Sequence, residues 1–381
     1  MAKARKIRIL LTGGGTGGHI YPLTAVGREL GKLVIEKGFN PDSRYFGDAG
    51  DFKHHLQNKG IRSVHITASK LRRYPSIQNF FDFFNFFFGL LESLWKIFWF
   101  MPHVCFSKGG PGALPVVLAA RFYAIPLVIH ESDAIPGLTN RLCARKAGII
   151  ELAFGGAQKY FGNNKALLRI VGNPIREEIL RAEPVLAKQE FELDSNQPVI
   201  LFIGGSQGAE KINNFVLENI QTLAAKFQII HQVGSRNFGE YSKDFEFLSK
   251  GLPPNLKKRY IFAPYFENNI GKVYQAADLI VGRAGAGLIF ETAALGKPAI
   301  LVPLPTSANN HQIANAYEYE KAGAALVIEE ENLLPGVVIG EIEKILKDRS
   351  RYQKMSEAAR KFYIPNSARM IAEDILKIIL T

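Results

Sequence analysis

Residues 7–19 read Ile-Arg-Ile-Leu-Leu-Thr-Gly-Gly-Gly-Thr-Gly-Gly-His, a short apolar run that breaks into a glycine-rich turn. Residues 199–208 repeat the grammar as Val-Ile-Leu-Phe-Ile-Gly-Gly-Ser-Gln-Gly. A short apolar run closed by glycine reads as a buried strand, and glycine lets the chain turn sharply out of it. A helical stretch from about Pro22 to Lys37 follows the first turn, and the periodic stretch Asn213–Lys226 follows the second. Strand, glycine turn and helix in that order open a doubly wound parallel sheet.

Working outward, Val104–Ser107, Pro126–His130 and Ile149–Ala153 are further strand candidates in the first half. Ile229–Val233, Leu279–Val281 and Ala299–Val302 are their counterparts in the second. The expected fold class is therefore α/β, with two Rossmann-like doubly wound domains and a ligand held between them. Gly-Asn-Pro at 172–174 interrupts the pattern, which sets the domains at 1–175 and 176–381. Glu183–Pro198 is a further loop or helix of the second domain, and a helix from about Ser367 to Ile379 ends it.

A hydrophobic share of 47% and a charged share of 22% over 381 residues allow large cores. Two cysteines, Cys105 and Cys143, cannot build a disulfide framework and lack metal-ligand spacing, which suits a reducing compartment. The first apolar run ends at Thr12, too short for a secretory segment, so the expectation is a cytoplasmic protein. Within the net charge of +12, residues 1–176 carry 24 Lys and Arg against 10 Asp and Glu, and the rest 23 against 25. That asymmetry points to an anionic partner for the first half, nucleic acid or a membrane surface, or else to a merely basic surface.

Residues 80–101 read FFDFFNFFFGLLESLWKIFWFM. Asp82, Asn85, Gly89, Glu92 and Lys96 are spaced so that they form one stripe on a helix, and Glu92 with Lys96 makes an i,i+4 pair. The charges argue against a membrane-spanning helix. Packing against a second helix and docking at a membrane interface both fit, and Lys70, Arg72 and Arg73 upstream favour the interface.

Four motifs carry chemistry. Gly13–Gly18 before His19 lets backbone N–H groups approach an anion at a helix start. It also satisfies GxGxxG, a dinucleotide fingerprint that wants an acidic residue after the second strand, for which Asp48 is a distant match. At a helix start the dipole disfavours the imidazolium, so His19 is either a general base or a capping histidine. Gly204–Gly208, with Ser206 and Gln207, is either a diphosphate loop or a tight turn. Arg283-Ala284-Gly285-Ala286-Gly287 opens a helix, with Glu291 within the first turn or so, either a ribose ligand or a carboxylate favoured by the dipole. Asn309–Asn315 brings Gln312 and Asn315 to one helix face, suited to sugar hydroxyls or simply a polar helix start. No DxD pair stands at a strand end, so leaving-group charge falls to the glycine loops and helix N-termini, and no metal site is expected.

In order along the chain, GGGTGGH, HESD at His130–Asp133, PGLTN at Pro136–Asn140, VGNPIR at Val171–Arg176, GGSQG, RAGAG with Glu291, and HQIANA at His311–Ala316 resemble one family. It is the N-acetylglucosaminyltransferases of peptidoglycan synthesis, which convert lipid I to lipid II. The resemblance spans nearly the whole chain. It implies a GT-B architecture, with UDP-N-acetylglucosamine in the C-terminal domain. The lipid-pyrophosphate acceptor and an anionic membrane surface fall to the N-terminal domain, with no nucleic acid.

On the same basis His19 is catalytic. Ser206, Gln207, Gly208, Phe266, Gly287, Leu288, Glu291, Gln312, Asn315 and Arg176 bind the donor, together with Thr16, Gly17 and Gly18. Gly14, Gly15, Thr16, His19, Asp133 and Asn140 face the acceptor. No cofactor is implied, and stimulation by a divalent cation is left open. The resemblance implies an enzyme that works peripherally on the cytoplasmic face of the plasma membrane. Asp133 stands where the family often carries an amide, and the loop Ser107–Gly112 is shorter than usual. Two alternatives remain from the residues: a UDP-N-acetylglucosamine 2-epimerase, and a nucleotide-sugar sensor without chemistry.

Overall fold

The computed structural model describes residues 5–68, 78–162, 164–267 and 269–380. The chain forms two compact units, Met1–Ile175 with Pro365–Thr381, and Arg176–Ile364.

Unit 1 contains β1 (Lys6–Thr12), β2 (Asn40–Phe46), β3 (Arg62–Val64), β4 (Val104–Ser107), β5 (Leu127–Glu131), β6 (Ile149–Leu152) and β7 (Leu167–Ile170). They lie in the order β3-β2-β1-β4-β5-β6-β7, each pair parallel. Unit 2 contains β8 (Val199–Ile203), β9 (Gln228–Gln232), β10 (Tyr260–Ala263), β11 (Leu279–Gly282), β12 (Ala299–Leu301) and β13 (Ala325–Val327). Their order, β10-β9-β8-β11-β12-β13, is again parallel throughout. Parallel sheets covered by helices on both faces need strands without polar alternation. All five residues of β8 and all four of β4 are buried, as that rule requires.

In each sheet the strand order reverses at the strand that the glycine turn follows. Thr12 pairs with Ser107 across β1 and β4, and Ile203 with Gly282 across β8 and β11. The crevice outside the carboxyl ends at such a switch point is where open α/β sheets hold ligands. Each unit thus presents one ligand end.

The first helix, Gly17–Glu36, starts five residues before the expected Pro22. Proline there removes one N–H, and only the bond toward Gly18 is lost, so the helix tolerates it. The stretch Asn213–Lys226 is two helices, Glu210–Glu218 and Ile220–Lys226. Asn219 parts them, its amide donating to Phe215 O at 2.8 Å.

The expected domain span 176–381 is corrected at its end. Helix Ser367–Leu380 returns to unit 1, where Ile371, Ala372 and Ile375 are fully buried in the core beside the first helix. The Ser367 hydroxyl donates to Val171 O, and Arg169 pairs with Asp374. An amphipathic helix goes where its apolar stripe is covered, and chain order does not decide that.

Helix Gln78–Phe100 packs on helix Leu114–Phe122. Its small and polar stripe faces the protein. A Cβ on Gly89 would sit 2.3 Å from Thr67 O, Glu92 accepts from Thr67 N at 3.1 Å, and Lys96 donates to His65 O at 2.7 Å. The opposite stripe, including Phe83, Phe87, Phe88, Trp95 and Trp99, is exposed. By length and composition Asp82–Phe100 is apolar enough to cross a membrane, contrary to the sequence expectation, but its polar stripe is tied to unit 1. Lys70, Arg72 and Arg73 lie outside the described residues.

Candidate active site

At the ligand end of unit 1, three loops converge. Tyr45 donates its hydroxyl to Gly13 O at 2.9 Å, and Thr12 donates to Phe46 O at 2.8 Å, which anchors the glycine turn to β2. Thr16, Gly15 and Gly18 are exposed, Gly17 is half-buried and Gly14 is buried. A Cβ on Gly14 would sit 2.9 Å from His19 Nδ1, so the imidazole ring lies directly against this glycine. His19 is the third residue of the first helix, and its Nδ1 lies 2.9 Å from Thr16 Oγ1.

The second loop follows β4. Gly109 and Gly110 have φ of 75° and 89°, a region open to glycine. A Cβ on Gly110 would meet Gly14 N at 2.9 Å, so the two loops lie in contact. The third loop follows β5. Glu131 is buried and accepts from Asp133 N (3.0 Å), Gly137 N (3.1 Å) and Asn140 Nδ2 (2.9 Å). Asn140, expected on the acceptor, turns inward to hold this loop. Asp133 is half-buried beside it.

Sequence reasoning missed Lys108. It is 2% exposed, and its ammonium donates to His130 Nδ1 (2.6 Å), Ser132 Oγ and Asn173 Oδ1 (3.3 Å). Burial lowers its pKa, while Glu131 and Asp133 oppose the shift. Burial, with Asp133 nearby, raises Glu131. Burial and the Lys108 charge hold His130 neutral, far below the usual histidine range. The available signal was a lysine directly between the strand Val-Cys-Phe-Ser and a Gly-Gly pair.

At the ligand end of unit 2, Ser206 and Gln207 are exposed on the turn after β8. Gly208 has φ 88°, and a Cβ there would sit 2.2 Å from Val233 O. Gln232 ties the turn to the loop after β10. It donates to Gly205 O at 3.2 Å and accepts from Phe266 N at 3.3 Å. That occupies the N–H of Phe266, expected to bind the donor, and the ring packs against Phe191.

Gly285 caps helix Ala286–Leu295, where Gly287 and Leu288 form the half-buried first turn. Space is open where a Cβ on Gly285 or Gly287 would lie, and the first-turn N–H groups of a helix suit an anion. Glu291 is corrected to the second turn, where it is 5% exposed. The helix dipole does not account for it there. Arg176 does, with Nε on Oε1 and Nη2 on Oε2, both at 2.7 Å. Asn315 is fully buried and donates to Ala284 O at 3.2 Å, while half-buried Gln312 accepts from Leu304 N at 3.1 Å. Ser206, Gln207, Gly208, Phe266, Gly287, Leu288, Glu291, Arg176, Gln312 and Asn315 thus all belong to unit 2. His19, Gly14, Gly15, Thr16, Gly17, Gly18, Asp133 and Asn140 belong to unit 1. Among the described residues no group of three or more His, Cys, Asp or Glu is placed to hold a metal ion.

The model of the glycosyltransferase family 28 N-terminal domain matches residues 9–150, and that of the C-terminal domain matches 199–375. A UDP-N-acetylglucosamine–N-acetylmuramyl-(pentapeptide) pyrophosphoryl-undecaprenol N-acetylglucosamine transferase of Clostridium novyi is 36% identical, covering 92% of this chain and 93% of its own. The protein of the same name from Desulforamulus reducens is 33% identical over 98% and 99%. The crystal structure of Acinetobacter baumannii MurG superposes with a TM-score of 0.69 at 25% identity, covering 97% of this chain and 99% of that one. A UDP-GlcNAc 2-epimerase from Neisseria meningitidis, at 15% identity and a TM-score of 0.67 over 97% and 100%, shares the fold alone. The chain is a glycosyltransferase with a GT-B fold, and it belongs to the family 28 transferases that carry the name of these relatives.

Proposed function

We propose that this chain transfers N-acetylglucosamine from UDP-N-acetylglucosamine to the C4 hydroxyl of the muramyl sugar of lipid I, forming lipid II. Unit 1 holds the acceptor and unit 2 the donor. The observation that carries this reading is the pair of glycine turns, Gly13–Gly18 and Gly204–Gly208, at the switch point of each sheet.

The transfer inverts the anomeric centre. The acceptor O4 attacks C1 as the C1–oxygen bond to UDP breaks, so an α-linked donor gives a β-1,4 product and free UDP. His19 takes the hydroxyl proton on Nε2. That role requires Nδ1–H to donate to Thr16 Oγ1, the polarity that leaves Nε2 as the base. The open N-terminus at Gly285 and Gly287, with the turn at Ser206 and Gln207, receives the diphosphate charge without a bound metal. Glu291 receives a ribose hydroxyl on the lone pair that Arg176 and Tyr274 leave open, and Gln312 flanks the donor sugar while buried Asn315 holds the loop at Ala284 O behind it.

The exposed stripe of helix Gln78–Phe100 supports peripheral docking on the cytoplasmic face of an anionic membrane. The test is incubation with UDP-N-acetylglucosamine and a lipid I analogue, with and without EDTA. The expected result is UDP release and a β-linked disaccharide in both. No turnover, an α product, loss of activity with EDTA, or conversion of donor alone to the manno epimer overturns the reading.

A further inference from the structure

The ligand end of unit 1 contains a buried cation that the proposed transfer does not use. Lys108 sits at the switch point, its backbone N–H donating to Thr12 O at 2.9 Å. A buried ammonium is costly unless every proton is accepted. Here the three protons have three acceptors, His130 Nδ1, Ser132 Oγ and Asn173 Oδ1. None remains for a ligand.

That arrangement fixes the polarity of each partner. His130 Nδ1 accepts, so Nε2 carries the ring proton and donates to Gly172 O at 2.9 Å. Ser132 Oγ accepts from Lys108, so its own proton points elsewhere, and Ser132 is half-buried at the ligand end. Asn173 turns its carbonyl oxygen to Lys108, which leaves Nδ2 as its donor side. Without the cation, a serine hydroxyl and an asparagine amide have no fixed direction.

We propose that Lys108 is a positioning residue for the acceptor, fixing the half-buried Ser132 hydroxyl as a hydrogen-bond donor to the acceptor's diphosphate oxygens, with buried Asn173 serving as the ammonium's third acceptor. The assignment rests on the reading of unit 1 as the acceptor unit. The charged groups facing Lys108 are Glu131 and Asp133, with neutral His130 against it. Glu131 already accepts from three donors of its own loop. The Lys108 charge is therefore spent on orientation.

The test is a double-mutant cycle with Lys108→Met, Ser132→Ala and both together, measured as steady-state transfer to a lipid I analogue after circular dichroism confirms folding. One hydrogen bond set by a charged group corresponds to roughly a tenfold effect. Each single variant should raise the acceptor KM by about that factor and leave the donor KM within about twofold. The double variant should be no worse than Lys108→Met, because the serine loses its direction once the cation is gone. In the parent, acceptor kcat/KM should fall as pH rises and Lys108 loses its proton, and Lys108→Met should lack that fall. Additive effects, an unchanged acceptor KM, or a donor KM that moves as much as the acceptor KM overturns the assignment. If Lys108→Met does not fold, an unchanged acceptor KM in folded Ser132→Ala does so. A parent without any transfer overturns the proposed function itself, and this assignment with it.

Discussion

Arg176 and Glu291 form a two-pronged ion pair, Nε to Oε1 and Nη2 to Oε2, both at 2.7 Å and largely out of water. Tyr265 adds a hydroxyl 3.4 Å from Arg176 Nη1. The planar guanidinium fixes the plane of the carboxylate, which a lysine would not. A carboxylate offers about four lone-pair directions; Arg176 takes two and the buried Tyr274 hydroxyl donates to the carboxylate as well, so about one remains for a ribose hydroxyl. Glu291→Ala should therefore do two things. Donor KM should rise tenfold or more with little change in acceptor KM, and loss of the carboxylate that neutralises buried Arg176 should cost about 3–5 kcal/mol of stability. Initial-rate kinetics and urea unfolding measure them. An unchanged donor KM in a folded variant would restrict Glu291 to a structural role.

Thr16→Val tests the polarity at His19. Valine removes the acceptor 2.9 Å from Nδ1 and leaves the ring free to adopt the wrong tautomer. The expected loss is about tenfold or more in kcat. His19→Ala should lose about 10²-fold or more. Equal kcat in Thr16→Val and the parent would detach His19 from that orienting bond.

Gly208→Ala should weaken the donor turn. The residue has φ 88°, and its Cβ would press on Val233 O. Left-handed backbone at a non-glycine residue costs about 1–3 kcal/mol, and the clash adds to it. UDP affinity by calorimetry should fall, while Gly285→Ala, where space is open, should disturb stability far less. The reverse order would count against the packing described for this turn.

Glu151 provides a pH test of unit 1. It is fully buried in β6, and burial, reinforced by the Asp374 carboxylate, pushes its pKa up to about 8. A raised carboxyl pKa means that the folded state binds the proton more tightly than the unfolded chain. The stability it contributes is complete below the ordinary carboxylate range, declines as pH rises, and is gone above about 8. Glu151→Gln should flatten that decline and gain on the order of a few kcal/mol at pH 8.5 relative to the parent. Urea midpoints at pH 5.5 and 8.5 decide it. Parallel pH dependence in the two proteins would mean that Glu151 stays charged.

The exposed stripe of the aromatic helix predicts how the protein holds a bilayer. Phe87, Phe88 and Trp95 are each more than half exposed. Apolar insertion is not screened by salt, whereas attraction of basic residues to anionic lipid is. Replacing the three with Ser should abolish the salt-resistant part of vesicle co-sedimentation and leave folding intact. Binding like the parent's at high salt would exclude these side chains as the anchor.

Much of the molecule is written in local sequence. Apolar runs closed by glycine located the core strands at both switch points, and the glycine turns marked the ligand ends. Those signals are legible because strand burial and positive φ are properties of a few adjacent residues. The motif order identified the family. What tertiary structure decided depends on partners far along the chain. Helix Ser367–Leu380 joins unit 1 because its apolar face is covered there, some 200 residues from the strands it meets. Helix Gln78–Phe100 turns its polar stripe inward because Thr67 and His65 supply the hydrogen bonds. Glu291 is held by Arg176, 115 residues away, and the burial of Lys108 shows only once β4, β5 and the loop at Asn173 converge. Local sequence sets propensity and period. Which buried charge meets which partner is settled only when distant segments exclude water together.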